Sequence, residues 1–248
     1  MQAAYFTYFL SCYGIHKRMP IDSLQELLLD YVRKDNLYCR LNALGALYRF
    51  ASVECIVKAV KLQDDGRVFV HEKILTEGLL TFSGDYHQLI DQLWKRIDTF
   101  SPHTQLAISN YIRFKTGDYC EEMFAVMQNE HAEKEMRISA IRYFGKYHYQ
   151  PAMEPLLKFL ENKDLTQWEF ATVAASSLAK YQGEKVVSAL KEALHSGNWY
   201  IRYSAAQSLE EHHVDYSELI DIVAGNDRYA REMITYRLES RKLQKVEV

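Results

Sequence analysis

A chain of 248 residues with 48% hydrophobic and 25% charged residues can bury a sizeable core, and its length suits either two ordinary domains or one elongated array. Ten Gly, four Pro and no Ser/Gly-rich, Pro-rich or long like-charged run exclude an evident linker or disordered tail. A net charge of −3 supplies no global field for phosphate backbones or anionic lipid, so binding to either would need a local patch.

Residues 1–15 carry no charge, yet they are shorter than the ~20 apolar residues a spanning helix needs and lack the basic start and small-residue cleavage site of a signal peptide. They are expected to form a packing helix; the alternative is a chain that starts just after a membrane anchor. The four cysteines, Cys12, Cys39, Cys55 and Cys120, show neither CxxC spacing nor the density of a disulfide framework, which fits a reducing, cytoplasmic setting.

From there the chain repeats. The first helix of each expected pair carries Ala43, Leu75, Ala107, Ala140, Ala174, Ala205 and Ile234, at intervals of 29 to 34 residues. Four positions later come Leu47, Leu79, Tyr111, Phe144, Leu178, Leu209 and Leu238. Residues i and i+4 share a helix face, so small and large groups alternate along one buried stripe.

The second helices repeat apolar-apolar-x-x-apolar, beginning at Leu28, Ile56, Leu89, Met123, Leu156, Val186 and Leu219. Between the helices of two pairs lie copies of one turn, Ser83-Gly84-Asp85-Tyr86 and Thr116-Gly117-Asp118-Tyr119, 33 residues apart, with Gly183 two periods further on. Each Gly is expected to be the left-handed residue that ends a helix, and each Asp to cap the next. Asp85 with Gln88, Asp118 with Glu121, Ser23 with Glu26 and Thr166 with Glu169 have capping-box spacing, and Pro102 after Ser101 suits the first helical position.

A helix pair cannot bury both apolar faces alone, so stacked pairs are expected, with atypical ends. The expected fold is all-α, a right-handed α/α superhelix of about seven helix pairs. It forms a single repeat domain over 1–248: an atypical N-terminal pair at 1–36, regular repeats at 37–226 and a capping helix at 227–248.

The segments starting Tyr38-Cys39-Arg40-Leu41-Asn42-Ala43, Met136-Arg137-Ile138-Ser139-Ala140 and Ile201-Arg202-Tyr203-Ser204-Ala205 resemble the HEAT signature [VI]-R-x-x-A-x-x-x-L, and the resemblance spans about residues 37–240. It implies a HEAT-like solenoid of the kind that serves mostly as a scaffold and occasionally as an enzyme. The signature arginine falls at Arg40, Arg137, Arg202 and Arg231, while Glu72, Thr104 and Ala171 replace it elsewhere. An inter-repeat hydrogen-bond ladder, broken mid-array, is the expected role of those arginines.

No reaction chemistry stands out. A di-iron hydroxylase of this architecture would need several His-Glu pairs, and His71-Glu72 stands alone. His212-His213 and Glu130-His131 have no i, i+4 partner to complete a metal cluster, and no GxSxG, phosphate loop or nucleophile spacing occurs. No catalytic residue, metal ligand or cofactor is therefore assigned.

A DNA-glycosylase-like or other nucleic-acid-binding relative would line its groove with cations. The first polar slot of the second helices reads Asp30, Lys58, Asp91, Ala125, Lys158, Ser188 and Asp221, two positive against three negative. The expected function is a non-enzymatic scaffold for a protein partner, bound on a concave face through Lys58, Asp91, Lys95, Lys158 and Lys191. The alternatives are nucleic-acid binding and the cytosolic domain of a membrane-associated assembly. Arg237, Arg241 and Lys245, spaced i, i+4 and i+8, are expected on one exposed face of the last helix.

Overall fold

The computed structural model describes residues 2–13 and 21–246, which are helices and connecting loops with no strand among them. The chain divides at Thr116–Gly117 into two compact units. The first holds α1 (Gln2–Tyr13), α2 (Ile21–Val32), α3 (Leu37–Phe50), α4 (Val53–Asp64), α5 (Glu72–Leu80), α6 (Tyr86–Trp94) and α7 (Pro102–Lys115). The second holds α8 (Cys120–Gln128), α9 (Lys134–Phe144), α10 (Met153–Glu161), α11 (Trp168–Ser177), α12 (Glu184–Ala193), α13 (Trp199–Glu211), α14 (Ile220–Val223) and α15 (Arg228–Val246).

Each unit is layered. In the first, α1, α3, α5 and α7 pack in succession, as do α2, α4 and α6; in the second, α9, α11, α13 and α15 form one layer, and α10 packs on α12. The repeated columns explain why. Ala43, Leu75 and Ala107 in the first unit, and Ala140, Ala174, Ala205 and Ile234 in the second, are at most 5% exposed. Leu47, Leu79, Tyr111, Phe144, Leu178 and Leu209 are buried too, each large side chain contributing about 1.5–3 kcal/mol of transfer free energy. The Leu238 side chain lies outside the described residues.

In the second helices the leading residues Leu28, Ile56, Leu89, Met123, Leu156, Val186 and Leu219 are all buried. One departure is Ile220, which is exposed because α14 is only four residues long and follows a short 3-10 turn.

Buried hydroxyls tie the first-helix layers. Thr76 Oγ1 on α5 donates to the Ala107 carbonyl of α7 at 3.1 Å. In the second unit Ser177 Oγ donates to the Ile141 carbonyl at 2.9 Å, and Ser208 Oγ to the Ala175 carbonyl at 2.7 Å. Connecting loops add bonds at the repeat interval: Ser83 Oγ to the Arg49 carbonyl, and Tyr181 Oη to the Tyr149 carbonyl.

Several expected turns differ. Gly84 and Gly117 do not have positive φ; among the described glycines only Gly183 does, at +129°. What excludes a side chain at the first two is an aromatic ring: a Cβ would stand 2.5 Å from Phe82 at Gly84 and 2.7 Å from Tyr147 at Gly117. Asp85 does cap α6, accepting the Gln88 N–H at 3.1 Å. In the second copy α8 starts one residue later with Tyr119 as its cap, and the Tyr119 N–H is taken by the Tyr143 hydroxyl at 3.0 Å.

Ser23 lies inside α2 rather than before it. Thr166 is part of a 3-10 turn capped by Asp164, and Glu169 pairs with Lys134 at 2.7 Å instead of closing a box. A reciprocal box is formed by Asp215 and Glu218. Pro102 does open α7, while the Ser101 side chain makes no capping bond: the Ser101 N–H and Oγ both donate to Asp64, whose carboxylate side chain is only 4% exposed.

Candidate binding surfaces

Because i and i+4 positions turn inward, the intervening slot of each second helix turns outward. Asp30, Lys58, Asp91, Ala125, Lys158, Ser188 and Asp221 are all exposed. In the first unit the neighbouring helices α4 and α6 carry Lys58 and Asp91, with Lys95 exposed at the C-terminal cap of α6. In the second unit α10 carries Lys158 and its neighbour α12 carries Lys191.

Lys191 differs from the others. It is partly buried, lies 2.7 Å from Asp221 Oδ2 and donates to the Glu218 carbonyl at 2.7 Å. That contact holds the Asp221 carboxyl below its ordinary range. Lys191 also lines an open cleft of about 500 Å³ with Val187, His195 and Asp221. Lys185 and Glu154 link α12 to α10 at 2.6 Å; exposed pairs of this kind contribute about 0–1 kcal/mol each.

The signature arginines make the expected inter-repeat hydrogen bonds. Each reaches back to a main-chain carbonyl at the end of the preceding helix pair. Arg40 bonds the Lys34 carbonyl through Nε and Gln63 Oε1 through Nη1 at 3.1 Å. Arg137 reaches the Met127 carbonyl at 3.3 Å, Arg202 the Ser196 carbonyl at 2.6 Å and Arg231 the Gly225 carbonyl at 2.9 Å. These carbonyls at or just beyond helix ends need donors, and a guanidinium supplies several in one plane. Arg137 also stacks over Phe170 and Arg202 over Tyr229, at 4.9 and 5.2 Å from the ring centroids.

The expected cationic stripe of the last helix is not assembled from Arg237. That side chain is largely buried, 3.6 Å from Glu210 and 4.3 Å over the Tyr203 ring. The Arg241 and Lys245 side chains lie outside the described residues.

The second unit also presents aromatic groups where its first helices begin. Trp168 stacks on Tyr200 at 5.2 Å, Trp199 meets Tyr200 edge-on at 5.2 Å and stacks on Tyr203 at 5.0 Å. Trp199, Tyr200 and Tyr229 are all more than half exposed. Trp168 borders a cleft of about 310 Å³ between the α10–α11 and α12–α13 connections. Sequence reasoning did not separate these rings from the core aromatics, although residues 168, 200 and 229 stand near the starts of successive first helices at close to the repeat interval.

His71 and His212 serve local structure. His71 Nδ1 accepts the Lys73 N–H at the start of α5, with Glu72 3.3 Å away, and His212 Nε2 lies 3.1 Å from the Leu178 carbonyl. Among the described residues no group of three or more His, Cys, Asp or Glu is placed to hold a metal ion. Cys39, Cys55 and Cys120 are free thiols. Burial pushes all three up, Cys55 to about 11, so at neutral pH they are protonated and poor nucleophiles. Among the described residues no helix is long and apolar enough to cross a membrane.

Layers of paired helices, buried stripes at intervals of 29 to 34 residues and outward-facing slots define an α-helical repeat protein. Residues 121–210, from within α8 to the last turn of α13, match the family of HEAT repeats. HEAT repeats generally serve as protein-interaction scaffolds and are typically non-enzymatic. No curated protein matches the chain.

Proposed function

We propose that the chain is a non-enzymatic scaffold whose protein partner docks on the second helices, on a concave face that includes Lys58, Asp91, Lys95, Lys158 and Lys191. The observation that carries this reading is the outward slot, exposed in every second helix while the leading apolar residue of each is buried. Mixed charge in that slot favours a protein surface of matching pattern over a polyanion, because complementary charges set register and specificity in protein interfaces. The reading takes 1–248 as one functional array. Protease cleavage at Thr116–Gly117 that released two halves with undiminished partner binding would contradict it.

Affinity capture with the wild-type chain is the direct test. A partner is expected whose recovery drops when Asp91→Lys and Lys158→Glu are introduced together, both being exposed positions that leave the core intact. Unchanged recovery would place the interface elsewhere.

A further inference from the structure

The cleft beside Trp168 combines three features. Its floor is apolar, with Leu160, Ala193 and Ile201 buried beneath it. Its wall carries one aromatic ring, Trp168, held at 24° to the Tyr200 ring behind it. Its rim is acidic. Glu161, Asp164 and Glu192 line it against a single lysine, Lys163, and His195, whose ring nitrogen is already 2.9 Å from Asp227.

The rim charge is not internally neutralised. Glu161 and Glu192 are exposed and, among the described residues, form no ion pair. Asp164 accepts the Thr166 N–H at 2.9 Å and its hydroxyl at 2.7 Å, which holds the carboxyl below the usual range and so ionised near neutrality. A volume of about 310 Å³ is at the low end of the ~300–1,000 Å³ of small-molecule pockets and suits one or two side chains.

We propose that this cleft docks a basic peptide segment, with one arginine or lysine stem on the apolar floor, its cationic head among Glu161, Asp164 and Glu192, and Trp168 alongside. A guanidinium matches this combination because it is weakly hydrated, stacks on aromatic faces and forks between carboxylates. The same carboxylates repel phosphate, which disfavours a nucleic acid on the aromatic edge. The inference deepens the scaffold reading by giving one ligand its chemistry. It remains separable from it, because the cleft lies at the C-terminal ends of α10 and α12 and the loops that follow, and uses none of the five residues Lys58, Asp91, Lys95, Lys158 and Lys191.

The test is fluorescence anisotropy of the full chain with a labelled peptide of three arginines spaced by Gly-Ser, its citrulline counterpart of equal shape and no charge, and a labelled oligothymidylate. The arginine peptide should bind at least about tenfold more tightly than the other two. Glu161→Lys with Glu192→Lys should remove that advantage, whereas Glu130→Lys with Glu135→Lys, exposed carboxylates of the same unit outside the cleft lining, should change it less than about threefold. Circular dichroism confirms that the variants fold. Should the cleft pair misfold, the wild-type comparison of arginine with citrulline still decides. Absence of arginine-peptide binding, equal citrulline or oligothymidylate binding, or an equal loss in the control pair would each overturn the proposal. Any of these results combined with an intact charge-sensitive partner on the second helices would leave the scaffold reading standing.

Discussion

Ser208 Oγ donates to the carbonyl of Ala175, 2.7 Å away on the neighbouring first helix, from a position only 1% exposed. Ser177 repeats the contact one layer earlier with Ile141, so hydroxyls bind α13 to α11 and α11 to α9. Ser208→Ala removes one such bond while keeping the volume nearly constant. Stability should fall by about 1 kcal/mol, read as a lower urea midpoint at unchanged slope. An unaltered midpoint would mean that the hydroxyl contributes nothing to layer cohesion.

Glycines that look alike in sequence should respond oppositely to alanine. At Gly145 a Cβ would lie 2.7 Å from Ser177 Oγ and 3.1 Å from the Ser177 backbone, and backbone cannot step aside cheaply. Gly145→Ala should cost about 1–3 kcal/mol through overpacking. Gly45 lies inside α3, where an added Cβ would meet no atom within 4 Å, so Gly45→Ala should stabilise by roughly 0.5–1 kcal/mol through helix propensity. Thermal melts of the two variants give the comparison, and shifts of the same sign would refute it.

Arg202 tests the signature arginine. Lysine keeps the charge but loses the planar fork that reaches the Ser196 carbonyl while stacking on Tyr229. Arg202→Lys should therefore destabilise by about 1–3 kcal/mol in denaturant titration. Were the arginine only a source of charge, the lysine variant would match the wild type.

Asp227 gives the second unit an acid-sensitive contact. Its carboxyl lies below the ordinary value of 3.8 because His195 bonds it, helped by the Ala230 and Tyr229 N–H groups at the start of α15. A folded-state value below the unfolded one contributes stability that is present above the unfolded value and lost as pH falls through the folded one. Urea midpoints of the wild type should thus decline as pH drops from about 5 to about 2, and Asp227→Asn should decline less. Parallel declines would remove Asp227 from the acid response.

The layer architecture was legible because it is encoded locally and redundantly. Ala174 and Leu178 declare a buried stripe by spacing alone, and the same spacing returns in every pair. Gly117 was misread because its need is set by the Tyr147 ring thirty residues on, not by its own dihedral angles. Lys191 looked like an open surface charge, and only the rise between repeats brings Asp221 to it. The Trp168 cleft was hidden for the same reason, since its walls come from two connections whose separation no column of residues specifies.

The central claim is that the second helices form the recognition surface. Hydrogen exchange of the chain alone and saturated with its captured partner measures this most directly. The account predicts new protection in peptides spanning α4, α6, α10 and α12, around Lys58, Asp91, Lys158 and Lys191, with the first helices α3, α9 and α11 unchanged. Protection confined to the first helices, with the second helices exchanging as in the free chain, would contradict it.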